Sequence, residues 1–144
     1  MHKQPINFLE KLGAVALSAM RVPNYAQYPI ACLPVWIEPA ILLDQIHIFH
    51  DPQGQVAGYV TWAFLAPDVE KRLIHDPEVL LHLSEWNEGE RLWILDFVVI
   101  DHLVKQRIQE ACSLFSNYHE ARSLRRLEDG SVRKVTRWPL DRLR

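Results

Sequence analysis

At 144 residues, with 49% hydrophobic and 24% charged residues, the chain suits one domain, 1–144, closing a single hydrophobic core, and its composition excludes disorder as a default. No apolar stretch approaches the roughly 20 residues of a membrane-spanning helix. Glu10 and Lys11 stand where a secretory signal would carry its apolar core, so a cytoplasmic protein is expected. The net charge of −2 hides an asymmetry: residues 121–144 hold eight Arg or Lys against three acids, net +5, and the other 120 hold eight against fifteen, net −7. That C-terminal surface suits an acidic partner, or is simply a solvated hairpin with charged outer faces.

In chain order, residues 5–20 place Phe8, Leu9, Leu12, Val15, Ala16 and Ala19 at helical spacing, which predicts an amphipathic helix. Pro23 ends it, because the residue before a proline is driven from helical geometry. The proline-bracketed stretch 23–29 predicts a shaped loop, and residues 38–45 a short helix. Two β-rich runs within 46–65 flank Asp51-Pro52-Gln53-Gly54, which predicts a hairpin. Residues 67–86 read as one helix or two, broken near Asp76-Pro77, with a turn at 87–89 and a strand over 91–100. A helix over 103–118 and a second hairpin around Glu128-Asp129-Gly130 complete the chain. This order predicts an α+β fold, a central mixed, mostly antiparallel sheet with helices on both faces.

Most chemical signals are weak. His47 and His50 are three apart on a strand, so they point to opposite faces and do not converge on one metal ion. The five glycines are scattered singly, with no phosphate-binding loop, and the balance of charge and aromatics argues against nucleic acid. Cys32 and Cys112 lie far apart, as two packed reduced thiols, with a cysteine nucleophile as the alternative. Asp96 is the anomaly. It interrupts the apolar run Leu92–Ile100, where an isolated ionised carboxylate costs several kcal/mol unless paired. Either it forms a buried pair, for example with an arginine of the C-terminal hairpin, or it is a perturbed acid of a functional site.

Several stretches, in order, resemble the RTX toxin-activating lysine acyltransferases: Leu12-Gly13, the loop from Pro23 to Pro29, Leu33-Pro34 with Glu38-Pro39-Ala40-Ile41, the hairpin Val56–Ala63, Glu88–Asp96, Arg122-Ser123-Leu124-Arg125 and Val132-Arg133-Lys134-Val135. The resemblance implies a GNAT-like α/β sandwich and an enzyme that moves a fatty acyl group from acyl carrier protein, its co-substrate, to internal lysines of an RTX protoxin, with no other cofactor. It also implies a homodimer, and a catalytic histidine–aspartate pair. The aspartate corresponds to Asp96; the histidine position is occupied by Tyr25. Arg122 and Arg125 would then dock the acidic carrier. In this setting Tyr25 would donate a proton to the departing thiolate, or Asp96 alone would act as base, its pKa raised by burial. His102 reaches Asp96 only if its loop folds back. The alternative is a family member without catalysis that binds the carrier or a protein partner. A coenzyme A-dependent enzyme is disfavoured by the missing Gly-rich loop before 103–118.

Overall fold

The computed structural model describes residues 6–127 and 131–144. The chain forms a mixed α/β structure whose five-stranded sheet has the order β1-β2-β3-β4-β5. It divides into two compact units, Met1–Thr61 with Asp96–Arg107, and Trp62–Leu95 with Ile108–Arg144.

In the first unit, helix α1 (Ile6–Met20) buries Phe8, Ala14, Val15 and Ser18 on one face. Ser18 is tolerated there because its hydroxyl donates to the Ala14 carbonyl at 2.8 Å. Val22, ahead of Pro23, is extended (φ −114°, ψ 115°), which ends the helix as expected. The stretch from Pro23 is not an irregular loop, however. It opens with a one-turn helix, α2 (Pro23–Ala26), and a 3-10 turn (Ile30–Cys32), α3 (Leu33–Trp36) and α4 (Glu38–Leu42) follow. Proline in the first turn of α2, α3 and α4 supplies a preset φ and gives up only an N–H that no helix would use.

Strands β1 (Ile46–His50) and β2 (Val56–Leu65) form the expected hairpin, antiparallel from Ile46 opposite Thr61 to Phe49 opposite Gly58, with a register shift between Phe49 and His50. The Asp51 carboxylate closes the turn by accepting the backbone N–H groups of Gln53 and Gln55 at 3.0 and 2.9 Å. Phe49, fully buried, meets Phe97 edge-on with centroids 5.8 Å apart, and the Arg107 guanidinium lies 5.8 Å from its ring. Arg107, itself buried, pairs with Asp101 at 2.6 Å. Gly58 is fixed by two constraints: its φ is +135°, and a β-carbon there would fall 1.9 Å from the Val98 carbonyl oxygen.

In the second unit, α5 (Pro67–His75) is followed by a non-helical run and a 3-10 turn (Leu83–Trp86), so the predicted break near Asp76-Pro77 is present. Strand β3 (Arg91–Val99) pairs in parallel with β4 (Glu120–Arg126) at Trp93 opposite Arg122. β4 and β5 (Val132–Pro139) form an antiparallel ladder. The turn predicted at 128–130 lies outside the described residues. Helix α6 (Val104–Ser113) is shorter than the predicted 103–118, and β5 runs into a one-turn helix, α7 (Leu140–Leu143), that no periodicity announced.

Glu70 organises this unit. It is 6% exposed, and its carboxylate accepts the Trp93 indole N–H at 2.7 Å, pairs with the Arg91 guanidinium and lies 3.5 Å from Arg122 Nη1. A buried carboxylate of this kind is sustained only by such a set of donors. Two outcomes follow for urea or thermal unfolding. Gly58→Ala should lose about 3 kcal/mol or more, since neither φ nor space accommodates the methyl group. Glu70→Ala should lose about 1–3 kcal/mol, because it strands the buried Trp93 N–H, while the half-exposed Arg91 and Arg122 guanidinium groups keep water or Glu120 as partners.

Candidate active site

Tyr25 and Asp96 are 71 residues apart in sequence, and the first unit brings them together: the Tyr25 hydroxyl donates to Asp96 Oδ1 at 2.7 Å. Tyr25 reaches it from α2, where the proline-started turn fixes the phenol's origin, and its ring packs edge-on against Tyr28 with centroids 5.7 Å apart. Asp96 lies in β3 between Leu95 and Phe97, and its backbone N–H donates to Thr61 Oγ1 at 3.1 Å. Thr61 and Tyr59 alternate along β2, so both occupy one face of the strand, and both are buried.

The buried pair with a hairpin arginine considered for Asp96 is therefore not what the carboxylate has. Its donor is a neutral phenol. Charge–charge compensation is absent from that contact, and the electrostatics follow from this. Burial pushes the Asp96 carboxyl above its ordinary value, and the Tyr25 hydrogen bond pulls it part of the way back. Burial, then the Asp96 charge and its hydrogen bond, push the Tyr25 phenol far upward, so Tyr25 stays protonated and serves as a donor, never as a base. Burial and then the Asp96 charge act likewise on Tyr59.

The other predicted positions fare differently. Arg122 and Arg125 are three apart on β4 and point to opposite faces. Arg122 is half-buried and committed to acids, Glu120 at 3.0 Å and Glu70 at 3.5 Å, whereas Arg125 is exposed opposite Lys134, also exposed, in the β4–β5 ladder. A shallow cleft of about 310 Å³ beside Arg122 is lined by Glu90, Arg91, Leu92, Arg122 and Glu120. His102 is exposed with a left-handed φ of 64°, and is not a partner of Asp96. Cys112 is fully buried and its thiol is pushed up by that burial, which fits a packing group and not a nucleophile. Tyr59 and Thr61 escaped the sequence reading, although the period-2 alternation of β2 put them on one face.

The pair fits proton handling at a carboxylate whose basicity is raised. Sequence comparison bears on which reaction that would serve. Residues 4–139 match the RTX toxin acyltransferase family. An uncharacterized protein of Synechocystis is 30% identical over 105 residues, 72% of this chain and 71% of that protein. The RTX-II toxin-activating lysine-acyltransferase of Actinobacillus pleuropneumoniae is 30% identical over 92 residues, 64% of this chain and 56% of its own length. A protein-lysine palmitoyltransferase of Bordetella bronchiseptica is 30% identical over 94 residues, 65% of this chain and 50% of its own. The chain thus spans about half the length of these two acyltransferases.

A carboxyl whose native pKa is raised stabilises the fold most below the ordinary carboxylate value of about 4, and that contribution is lost as pH rises through the native value. An asparagine in its place carries no such slope and keeps an acceptor oxygen for Tyr25. Asp96→Asn should therefore gain melting temperature relative to the parent chain as pH is raised from 4 to 8. Melting curves over that range check this, and a loss that grows with pH would contradict it.

Proposed function

The chain belongs to the RTX toxin acyltransferase family, and from that premise we propose that it is a protein-lysine acyltransferase, moving a fatty acyl group from acyl carrier protein to internal lysines of an RTX protoxin. The observation that carries the reading is the Tyr25–Asp96 hydrogen bond, which joins the two positions that correspond to the family's catalytic pair.

The step requires a neutral lysine amine. The lysine enters as the neutral amine, and Asp96 accepts the proton that its nitrogen sheds as it bonds to the thioester carbonyl carbon. The carbon–sulfur bond breaks, and the proton passes from Asp96 to the departing thiolate. Amine plus thioester become amide plus thiol, with no net gain or loss of protons. An ordinary carboxylate is a weak base for this work, and a raised pKa brings it closer to the operating pH. Tyr25 holds the carboxylate's orientation and tempers its basicity. The role of proton acceptor thus falls to Asp96, not to the residue at the histidine position.

Carrier docking belongs to Arg125 and Lys134, exposed cross-strand neighbours, more than to Arg122, whose charge is engaged by Glu120 and Glu70. Exposed positive charge raises the encounter rate with an acidic carrier, and salt removes that gain. A cytoplasmic homodimer is part of the same reading. The competing reading is a non-catalytic binding protein for the carrier or a protein partner. What favours it is Tyr25 itself, a phenol held protonated where the family uses an imidazole.

The test is incubation with fatty-acyl carrier protein and an RTX protein, followed by mass spectrometry of lysines. Acylated lysines are expected, and none across several chain lengths and substrates would leave the binding reading. Asp96→Asn should reduce turnover by about 10²-fold or more while the chain stays folded. In Tyr25→Phe the hydrogen bond that lowers the Asp96 pKa is gone, so the acidic limb of the pH–rate profile should move to higher pH. An unmoved limb would remove Tyr25 from the catalytic account.

A further inference from the structure

Residues 22–37 carry no Asp, Glu, Lys, Arg or His, in a chain that is 24% charged. The one other uncharged run of that length, 52–67, is mostly the strand β2, whose burial accounts for it. Residues 22–37 are the reverse: every residue from Ala26 to Ala31 is exposed, Tyr28 at 63% and Ile30 at 83%. Elsewhere, exposed large apolar side chains stand among charges, as Leu42 does near Asp44 and Leu103 between Asp101 and Lys105. Scattered exposed leucines are ordinary, whereas a contiguous uncharged apolar surface marks a place where something apolar docks. This surface is held on a hydrogen-bonded frame. The Tyr28 N–H donates to the Tyr25 carbonyl at 3.1 Å, and the Cys32 N–H to the Pro29 carbonyl at 2.9 Å. It is also continuous with the candidate site, since the Tyr28 ring packs edge-on against Tyr25, whose hydroxyl donates to Asp96.

We propose that the turn Tyr28–Ala31 is the surface along which the acyl chain of the thioester lies while its carbonyl carbon stands at Asp96. This rests on the acyltransferase reading for its acyl donor. A chain bonded to that carbonyl has one end fixed at the Tyr25–Asp96 pair, and the exposed apolar run begins beside Tyr25. The lack of charge selects the occupant. An acidic carrier or a charged peptide segment finds no counter-ion within residues 22–37. A hydrocarbon chain needs none, and its binding strengthens with each methylene that the surface covers. Tyr28 and Ile30 thus set the preference for chain length, and do so through binding of the donor.

Binding reads this without turnover. Calorimetry of the full chain with butyryl- and palmitoyl-carrier protein should give a Kd about tenfold or more lower for the palmitoyl donor. Ile30→Ser changes an exposed side chain, so it should keep the melting temperature and shrink that preference by about fivefold or more. Tyr28→Ser should shrink it likewise, and Leu42→Ser, at an exposed apolar position outside the run, should leave it intact. A preference unmoved in both Ile30→Ser and Tyr28→Ser overturns the inference, and lysine acylation by the same variants then leaves the acyltransferase reading standing. Equal binding of the two donors also overturns it. Self-association of the parent chain that Ile30→Ser abolishes would in that case assign the surface to a second copy of the chain. A parent chain that prefers the palmitoyl donor through Ile30 but transfers no acyl group keeps the acyl-binding surface and overturns the enzymatic reading.

Discussion

One hydrogen bond, 2.7 Å from the Tyr25 phenol to the Asp96 carboxylate, is the contact on which the site in this chain depends. It fastens the proline-started turn α2 to a residue of β3, and so determines where the carboxylate points. It is also a compromise. Burial disfavours the ionised carboxylate, and a neutral donor offsets only part of that penalty, whereas a guanidinium would offset more and would lower the pKa. Asp96 is left more basic than a surface carboxylate, and its orientation is held.

Glu70 represents the opposite solution in the second unit. It is a fully buried acid, where Asp96 is half-buried, and two arginines and an indole N–H surround it. Such a carboxylate is held as a structural charge and crosslinks a helix to two strands. The contrast between a phenol and two guanidinium groups separates a site suited to proton transfer from one suited to stability. Part of the positive excess of residues 121–144 is met by acids outside that range, Glu120 and Glu70. Arg122 and Arg137 are drawn to Glu120, Arg126 donates to the Leu73 carbonyl, and Arg144 pairs with Asp141 and donates to Phe115 O at 2.5 Å.

Much of this was legible because it follows local rules. The Asp51 turn, the end of α1 before Pro23 and the strand around Asp96 come from short-range chemistry: an Asx turn, a steric clash before proline, and a run of β-branched and aromatic residues. Asp96 stood out for the same reason, since a carboxylate inside an apolar run is anomalous without any knowledge of the fold. What sat across from it was not legible from local rules; only the family resemblance pointed to Tyr25. The chain comes back over 71 residues to supply Tyr25, and nothing local distinguishes a phenol from an arginine as that partner. Glu70 was hidden likewise, an acid in the first turn of a helix, where acids are ordinary. The loop from Pro23 misled because proline both ends one helix and starts the next.

If, as proposed, Tyr25 stands at the position of the family's catalytic histidine, that exchange of side chain bears most on chemistry. An imidazole titrates near neutrality and can carry a proton away from an amine, with a carboxylate behind it to stabilise the resulting charge. A phenol cannot perform that exchange, and the fields of burial and of Asp96 make it still less able to. A catalyst built on Tyr25 and Asp96 must therefore invert the division of labour: the acid becomes the base, and the residue at the histidine position becomes its support. That inversion is chemically reasonable only for a carboxylate whose pKa has been raised. Burial in the apolar strand is what raises it here. The feature that makes Asp96 expensive to the fold is thus the one that would equip it for the reaction, and a solvent-exposed aspartate paired with an arginine would have neither property.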